Sequence, residues 1–279
     1  MAFKYRLSLF LYFVGLVFQI QSLELKSPQF ECRYHTGKFI SIDRDYLDLH
    51  LFFPLANEDI SLFLDTNGYR YDKGKWGASV GGGIRKSLAE GRIIGLNAYY
   101  DYLRGRLKRN FHQIGVGFEW LTDCYDIRIN GYLPILAKVH PGPCCYFDNL
   151  GSGFQATRCS SEYSYGGLEA EIGKSLFTCR DFDLYAAVGP YYFSRKHFKH
   201  FSGVHARLAI DWKSLVSIGI RASHDKFYVT QIQGFFAISI PFIGRFSSDL
   251  CQDPSFSVQP VRRNGVILTD RCCNWTWNW

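Results

Sequence analysis

A chain of 279 residues has room for one large domain or two modest ones. Charged residues make up 20% and apolar ones 47%, which excludes a disordered or fibrous polymer, and a net charge of +7 scattered along the chain does not mark a nucleic-acid binder. With 17% aromatic residues beside 26 glycines and a single methionine, strands and tight turns fit better than helices.

Residues 1–22 place Lys4 and Arg6 ahead of an apolar run, Leu7 to Val17, broken only by Ser8 and Gly15. The run is short for a membrane helix and has no charged stop behind it. It therefore predicts a secretory signal peptide cut after Ser22, with an uncleaved anchor helix as the alternative. No later segment reaches 18 uninterrupted apolar residues, so any bilayer crossing by the exported part must use strands. All nine cysteines lie beyond the signal: Cys32, Cys124, Cys144, Cys145, Cys159, Cys179, Cys251, Cys272 and Cys273. Outside a reducing cytosol they tend to pair, and an odd number leaves one for a free thiol or another chain. The neighbours Cys144–Cys145 and Cys272–Cys273 bridge more easily elsewhere than to each other, because adjacent cysteines form a strained ring. There is no C-x-x-C and no finger-like histidine spacing, so neither a metal nor a cofactor is expected.

From about residue 38 the chain alternates with period two. In 76–88, Trp76, Ala78, Val80, Ile84 and Leu88 oppose Gly77, Ser79, Gly81, Gly83 and Arg85. Ile114, Val116, Phe118 and Trp120 oppose Gln113, Gly115, Gly117 and Glu119; Ile127 and Ile129 oppose Asp126, Arg128 and Asn130. Val204, Leu208 and Ile210 oppose His205, Arg207 and Asp211. A helix would spread such residues over several faces, so this is strand periodicity. Eleven strands are predicted: 38–53, 60–72, 76–88, 92–104, 111–121, 125–135, 164–176, 182–194, 202–212, 215–223 and 227–241. Turn signals such as Asn67-Gly68, Asp72-Lys73-Gly74, Glu90-Gly91 and Arg104-Gly105 punctuate the strand region. A closed bacterial barrel needs an even number, so one strand is missing from the count, and the segment ahead of residue 38 is long enough to hold it. Residues 136–163, with Pro141-Gly142-Pro143, Gly151 and three cysteines, predict a loop inserted outside the barrel.

Two architectures share this pattern. A soluble sandwich or barrel buries the apolar face, whereas an outer-membrane barrel turns it to lipid and fills its lumen with small and polar groups. Three features favour the membrane. The polar faces hold glycine with both charge signs, aromatic residues crowd strand ends as at Tyr99–Tyr102 and Tyr191–Phe193, and strand lengths near ten suit a tilted crossing. The expected fold class is all-β, a transmembrane antiparallel β-barrel.

The run Gly95-Leu96-Asn97-Ala98-Tyr99-Tyr100-Asp101-Tyr102 resembles the G-x-N-x-F/Y-Y-D segment of the inverse autotransporter β-domain, the barrel of intimin and invasin. Gln113-Ile114-Gly115-Val116-Gly117-Phe118-Glu119-Trp120 is similar to that family's R-x-G-x-G-x-E-Y/W strand, with Gln113 where arginine is more usual. Asn130-Gly131-Tyr132-Leu133-Pro134 resembles N-G-Y-x-P, Gly81-Gly82-Gly83-Ile84-Arg85 resembles G-x-G-x-R, and Phe52-Phe53-Pro54-Leu55 resembles F-x-P-L. Together these cover about residues 50–135. Farther on, Pro260-Val261-Arg262-Arg263-Asn264-Gly265-Val266-Ile267-Leu268 resembles the R-N-x-I-V-L segment that follows the family's barrel. The resemblance implies a bacterial outer-membrane barrel of about 12 strands over 23–245, threaded by an extended tail, here 246–279, that leads to an adhesive passenger. Its partners would be outer-membrane lipids and the barrel-assembly machinery. Only a short stretch follows Leu268, so no passenger is expected and the role is structural or the display of a short tail.

Within that frame Arg85, Asn97, Asp101, Glu119 and Arg128 are expected to project into a crowded lumen as architecture rather than chemistry. Gly81–Ser87 lacks the glycine before the lysine that a phosphate loop needs. Ser223, His224 and Asp225 are consecutive, whereas triad members converge from separated positions. The basic stretch Arg195, Lys196, His197, Lys199, His200 and His205 fits a solvated loop, with metal or anionic-lipid contact as lesser readings. No enzyme is expected. Cys272 and Cys273, a doublet on the tail, are candidates for disulfide cross-linking to other envelope proteins. A soluble ligand-binding barrel and an outer-membrane lipid-acting enzyme are the competing functions.

Overall fold

A computed structural model describes residues 23–278 apart from 58, 72–74, 89–90, 137–138, 148–154, 180, 197, 199 and 243–258. The signal-peptide segment 1–22 lies outside the described residues, as do His197, Lys199, Cys251 and Trp279. In chain order the strands are β1 (Glu24–Leu25), β2 (Gln29–Gly37), β3 (Tyr46–Ala56), β4 (Ile60–Tyr71), β5 (Trp76–Ser87), β6 (Ile93–Arg104), β7 (Asn110–Leu121) and β8 (Asp126–Ile135). There follow β9 (Val139–Phe147), β10 (Gln155–Ser164), β11 (Gly166–Cys179), β12 (Phe182–Ser194), β13 (His200–Trp212), β14 (Val216–Asp225), β15 (Val229–Pro241) and β16 (Thr269–Asn278).

Twelve of these close a ring. The order β3-β2-β15-β14-β13-β12-β11-β8-β7-β6-β5-β4 returns to β3 through pairs running from Tyr46↔Tyr71 to Ala56↔Ser61. All neighbours are antiparallel, and the first and last long barrel strands meet from Gln233↔Gly37 to Pro241↔Gln29. The period-two pattern decides which face turns in. Ile114, Val116 and Leu208 are 40%, 56% and 40% exposed, whereas Glu119 and Arg128 are 2% and 4% exposed. In water, each apolar side chain so displayed would forgo about half of the roughly 1.5–3 kcal/mol that full burial supplies. A hydrocarbon solvent removes that cost, so the arrangement is that of a membrane barrel and not of a soluble one.

One strand expectation needs correction. Residues 38–53 are not one strand: β2 ends at Gly37, β3 begins at Tyr46, and residues between them turn back over the barrel mouth. Phe39 pairs with Ile42 in an isolated bridge, and Ile40 and Ser41 adopt positive φ of 30° and 63°. Gly37 itself has φ +97°, and a Cβ there would stand 2.5 Å from the Ile232 carbonyl oxygen, so this corner requires glycine. The strand missing from the count is β2. Residues 136–163 lie outside the barrel as an insertion, and within it the chain forms the hairpin β9–β10, which rises between β8 and β11. Cys144 and Cys159 close it with a disulfide. Proline at 141 and 143 is tolerated because β9 is an edge strand.

The two ends differ. At one end β3–β4, β7–β8, β11–β12 and β13–β14 are joined by connections of only two to four residues, while residues 38–45 and the β9–β10 hairpin stand at the other. After β15 the chain is described again from Gln259, and β16 adds itself to the hairpin as a third strand, from Gln155↔Asn278 to Ser164↔Thr269.

Candidate functional site: a lumen filled by its own tail

Register aligns the wall charges. Arg85 faces Gly95, Gly95 faces Glu119, Glu119 faces Arg128, and Arg128 faces Glu171, all in one row of neighbouring strands. Gly95 leaves the space through which Arg85 reaches Glu119; a Cβ there would meet both side chains at 3.0 Å. Arg85 Nε donates to Glu119 Oε2 at 2.8 Å and Nη2 to Oε1 at 3.2 Å. Arg128 lies 3.6 Å from Glu119 and 2.5 Å from Asp126, whose Oδ1 accepts from the Tyr185 hydroxyl at 2.7 Å. Buried charges of alternating sign thus neutralise one another where water is scarce. Higher on the wall, Asp101 is fully buried and accepts from Ser79 Oγ at 2.5 Å and Gln113 Nε2 at 3.2 Å. Asn97 packs over Gly117, and among the described residues its side-chain amide has no hydrogen-bond partner.

The tail runs up the middle of this lumen. Near the short-turn end, the Gln259 carbonyl accepts from Arg85 Nη1 at 2.5 Å. The Arg262 guanidinium stacks 4.1 Å from the Tyr185 ring centroid. Arg263 pairs with Asp101, donates to Ser79 Oγ at 2.8 Å, and lies 3.8 Å over the Tyr99 ring. The Asn264 amide donates to Tyr132 Oη at 3.0 Å and Glu169 Oε1 at 3.1 Å, and the Tyr69 hydroxyl donates to the Gly265 carbonyl at 3.1 Å. At the long-loop end, Val266, Ile267 and Leu268 are buried in an apolar cluster with Phe39, Ile40 and Tyr163. The Tyr165 amide donates to the Leu268 carbonyl at 3.0 Å. A cavity of about 60 Å³ beside Arg262 and Asn264 is space for a few waters.

Above the mouth the hairpin is held from both sides. The Glu162 carboxylate, fully buried, accepts the amides of Arg106 and Leu107 at 2.9 Å each. On the other face Tyr163 stacks on Phe198 at 4.1 Å, and burial pushes its hydroxyl pKa up to about 12. The Gly37 amide holds the Asp45 carboxyl below the usual carboxylate range. Cys273 is exposed, with Arg158 Nη2 donating to its Sγ at 3.4 Å, and Cys272 packs partly buried against the apolar cluster.

The chemistry-bearing sequence runs do not converge. Ser223 and Asp225 point inward, where Ser223 Oγ accepts the Ile40 amide and Asp225 accepts from the Tyr191 hydroxyl at 2.7 Å. His224 points outward and bonds Thr230 Oγ1 at 2.9 Å, so no triad forms. His205 is buried and 3.9 Å from Glu171, away from exposed His200. Sequence reasoning missed Ser79, Tyr69, Tyr132 and Glu169 as seats for the tail; their signal is only that they share the inward phase with Asp101 and Asn130.

Residues 30–141 match the family described as the inverse autotransporter β-domain. Among solved structures, a chain from work on in-meso crystallisation of membrane proteins superposes with a TM-score of 0.62 at 16% identity, covering 88% of this chain and 100% of that one. The KdgM porin aligns at a TM-score of 0.45 and 9% identity over 77% of this chain and 99% of its own. Outer membrane phospholipase A from Escherichia coli aligns at 0.40 and 10% over 80% and 100%. None of the curated proteins matches the chain.

Proposed function

We propose that this outer-membrane β-barrel, which matches the inverse autotransporter β-domain over residues 30–141, is a non-enzymatic display device that passes β16 through its own lumen. The observation that carries the reading is the course of residues 259–268. They enter beside Arg85 near the short-turn end, bond to wall groups at each level, and leave beside Tyr165 under the hairpin. Short turns face the periplasm and longer loops the exterior in barrels of this kind, which supports a position for β16 outside the cell. There β16 completes a three-stranded sheet, the mode of recognition in which an extended segment adds to a sheet edge. Exposed Cys273 on this sheet is then a point for disulfide linkage to other envelope proteins. Export by a signal peptide and folding by the barrel-assembly machinery belong to the same reading.

Cysteines already in the chain supply the test. Cys145 and Cys273 are exposed at the hairpin end, Cys124 and Cys179 at the short-turn end. A membrane-impermeant maleimide applied to intact cells pre-treated with a reductant should label Cys145 and Cys273 and spare Cys124 and Cys179 until the cells are opened. The reverse pattern, or equal labelling of all four, overturns the orientation. A non-reducing gel of thiol-blocked cells that shows only monomer removes the cross-linking role.

A further inference from the structure

The lipid-facing side is apolar for most of its height, and among the described residues a pair of arginines interrupts it at the long-loop end. At the long-loop ends of β4, β5 and β6, Arg70 stands opposite Trp76 and Trp76 opposite Arg104. All three are exposed and share the outward face, since Tyr69, Gly77 and Leu103 beside them are buried. One step lower lies a shelf of rings. Trp76 sits 5.0 Å from Tyr102, Tyr102 sits 5.4 Å from His112, and the Tyr100 hydroxyl bonds His112 Nδ1 at 2.5 Å. Below the shelf the surface is Val80, Leu96, Ile114 and Val116, all exposed and apolar.

Arg70 and Arg104 are two strand spacings apart, roughly 10 Å. Among the described residues neither has a carboxylate partner. Like charges this close are mutually unfavourable, and an indole between them attracts cations without cancelling either charge. An anion would relieve the repulsion, and guanidinium forks match phosphate oxygens two at a time. The height on the barrel selects which anion. Trp and Tyr mark the membrane–water interface, so a phosphate held here has acyl chains directly below it on the apolar strip. At the same end of the opposite wall the outward strand positions Ser202, His224 and Thr230 carry neither Arg nor Lys, and the exposed Lys226 follows only in the turn beyond β14.

We propose that the Arg70–Trp76–Arg104 sector binds the phosphorylated headgroup of a membrane lipid, with its acyl chains lying along Val80, Leu96 and Ile114. This needs the barrel to sit in a membrane but not the tail to be displayed, so the two readings fail separately.

The full chain, folded in detergent micelles and verified by heat-modifiable gel migration, is titrated with diphosphoryl lipid A and read by native mass spectrometry. R70Q/R104Q should bind about tenfold more weakly or worse, as expected for losing charged hydrogen bonds. The same lipid stripped of phosphate should bind wild type at that weakened level, and inorganic phosphate at equal concentration should not displace the lipid. Undiminished affinity in R70Q/R104Q, equal binding of the stripped lipid, or displacement by inorganic phosphate overturns the proposal. Should the double variant not fold, R104K is read instead: it keeps the charge and loses the fork, so reduced affinity supports the site and unchanged affinity overturns it.

Discussion

Arginine 263 is the place to loosen the tail. Its guanidinium pairs with Asp101, and both groups are buried, with side-chain exposures of 6% and 0%. Removing one member of a buried pair costs about 3–5 kcal/mol. Asp101 keeps Ser79 and Gln113 as donors in Arg263→Ala, so the lower end, about 3 kcal/mol, applies. That energy falls on the seating of the tail, because the wall strands keep their own pairing, and it shifts the seated-to-unseated ratio about a hundredfold. Single-channel recording in planar bilayers reads this directly. Wild type should stay closed, and Arg263→Ala should show openings about a hundredfold more often. Asp101→Asn should act through the same contact, so the two substitutions together should fall short of additivity by about 1 kcal/mol or more. If Arg263→Ala is as silent as wild type, or the two effects simply add, the pair does not hold the plug.

Other outcomes follow from neighbouring contacts. A side chain at Gly115 would crowd Arg263 Nη1, so Gly115→Leu should push that guanidinium off Asp101 and raise channel openings with no change of charge, as measured in the same bilayers. Glu162→Ala removes the acceptor of two loop amides, about 2 kcal/mol, and should speed hydrogen exchange of β9 and β10 amides without altering barrel strands. Lys75, in the turn between β4 and β5, is held down to a pKa of about 8 by burial, with Arg106 adding to the effect. Amine acylation of Lys75 should therefore rise with a midpoint near pH 8, well before the exposed lysines. The unfolded chain binds this proton up to about pH 10.4, so the Lys75 penalty is full below pH 8 and fades as pH rises between the two values. Thermal stability of Lys75→Gln relative to wild type should show its largest gain below pH 8.

The barrel was legible because its signal is local. Each strand repeats an inward small or polar residue and an outward apolar one, and a one-residue slip would reverse every side chain, so the pattern fixes the facing. Where chain and pattern part, the cause is specific. Phe39-Ile40-Ser41-Ile42 alternates like a strand, yet Ile40, with no exposed surface, serves to stopper the mouth from a tight turn. In β2 the inward set is Glu31, Arg33 and His35, too polar to announce a strand unless the lumen is already known to be ionic. The hairpin β9–β10 was hidden by Pro141-Gly142-Pro143 and by a partner strand, β16, that arrives more than a hundred residues later in the chain. The grip of the lumen on the tail depends on that same long-range meeting. Arg85 and Glu119 share a row that register predicts, but nothing near Asp101 in the sequence announces Arg263.

The pairing of β10 with β16 also bears on how a chain can cross a wall without fuel. Each rung of that ladder formed beyond the mouth subtracts a length of chain that thermal motion could otherwise carry backward, from Ser164↔Thr269 outward to Gln155↔Asn278. If the tail is threaded outward as proposed, a hairpin that precedes it in the sequence and stands at the exit would convert random sliding into one-way travel, a ratchet whose pawl is a sheet edge.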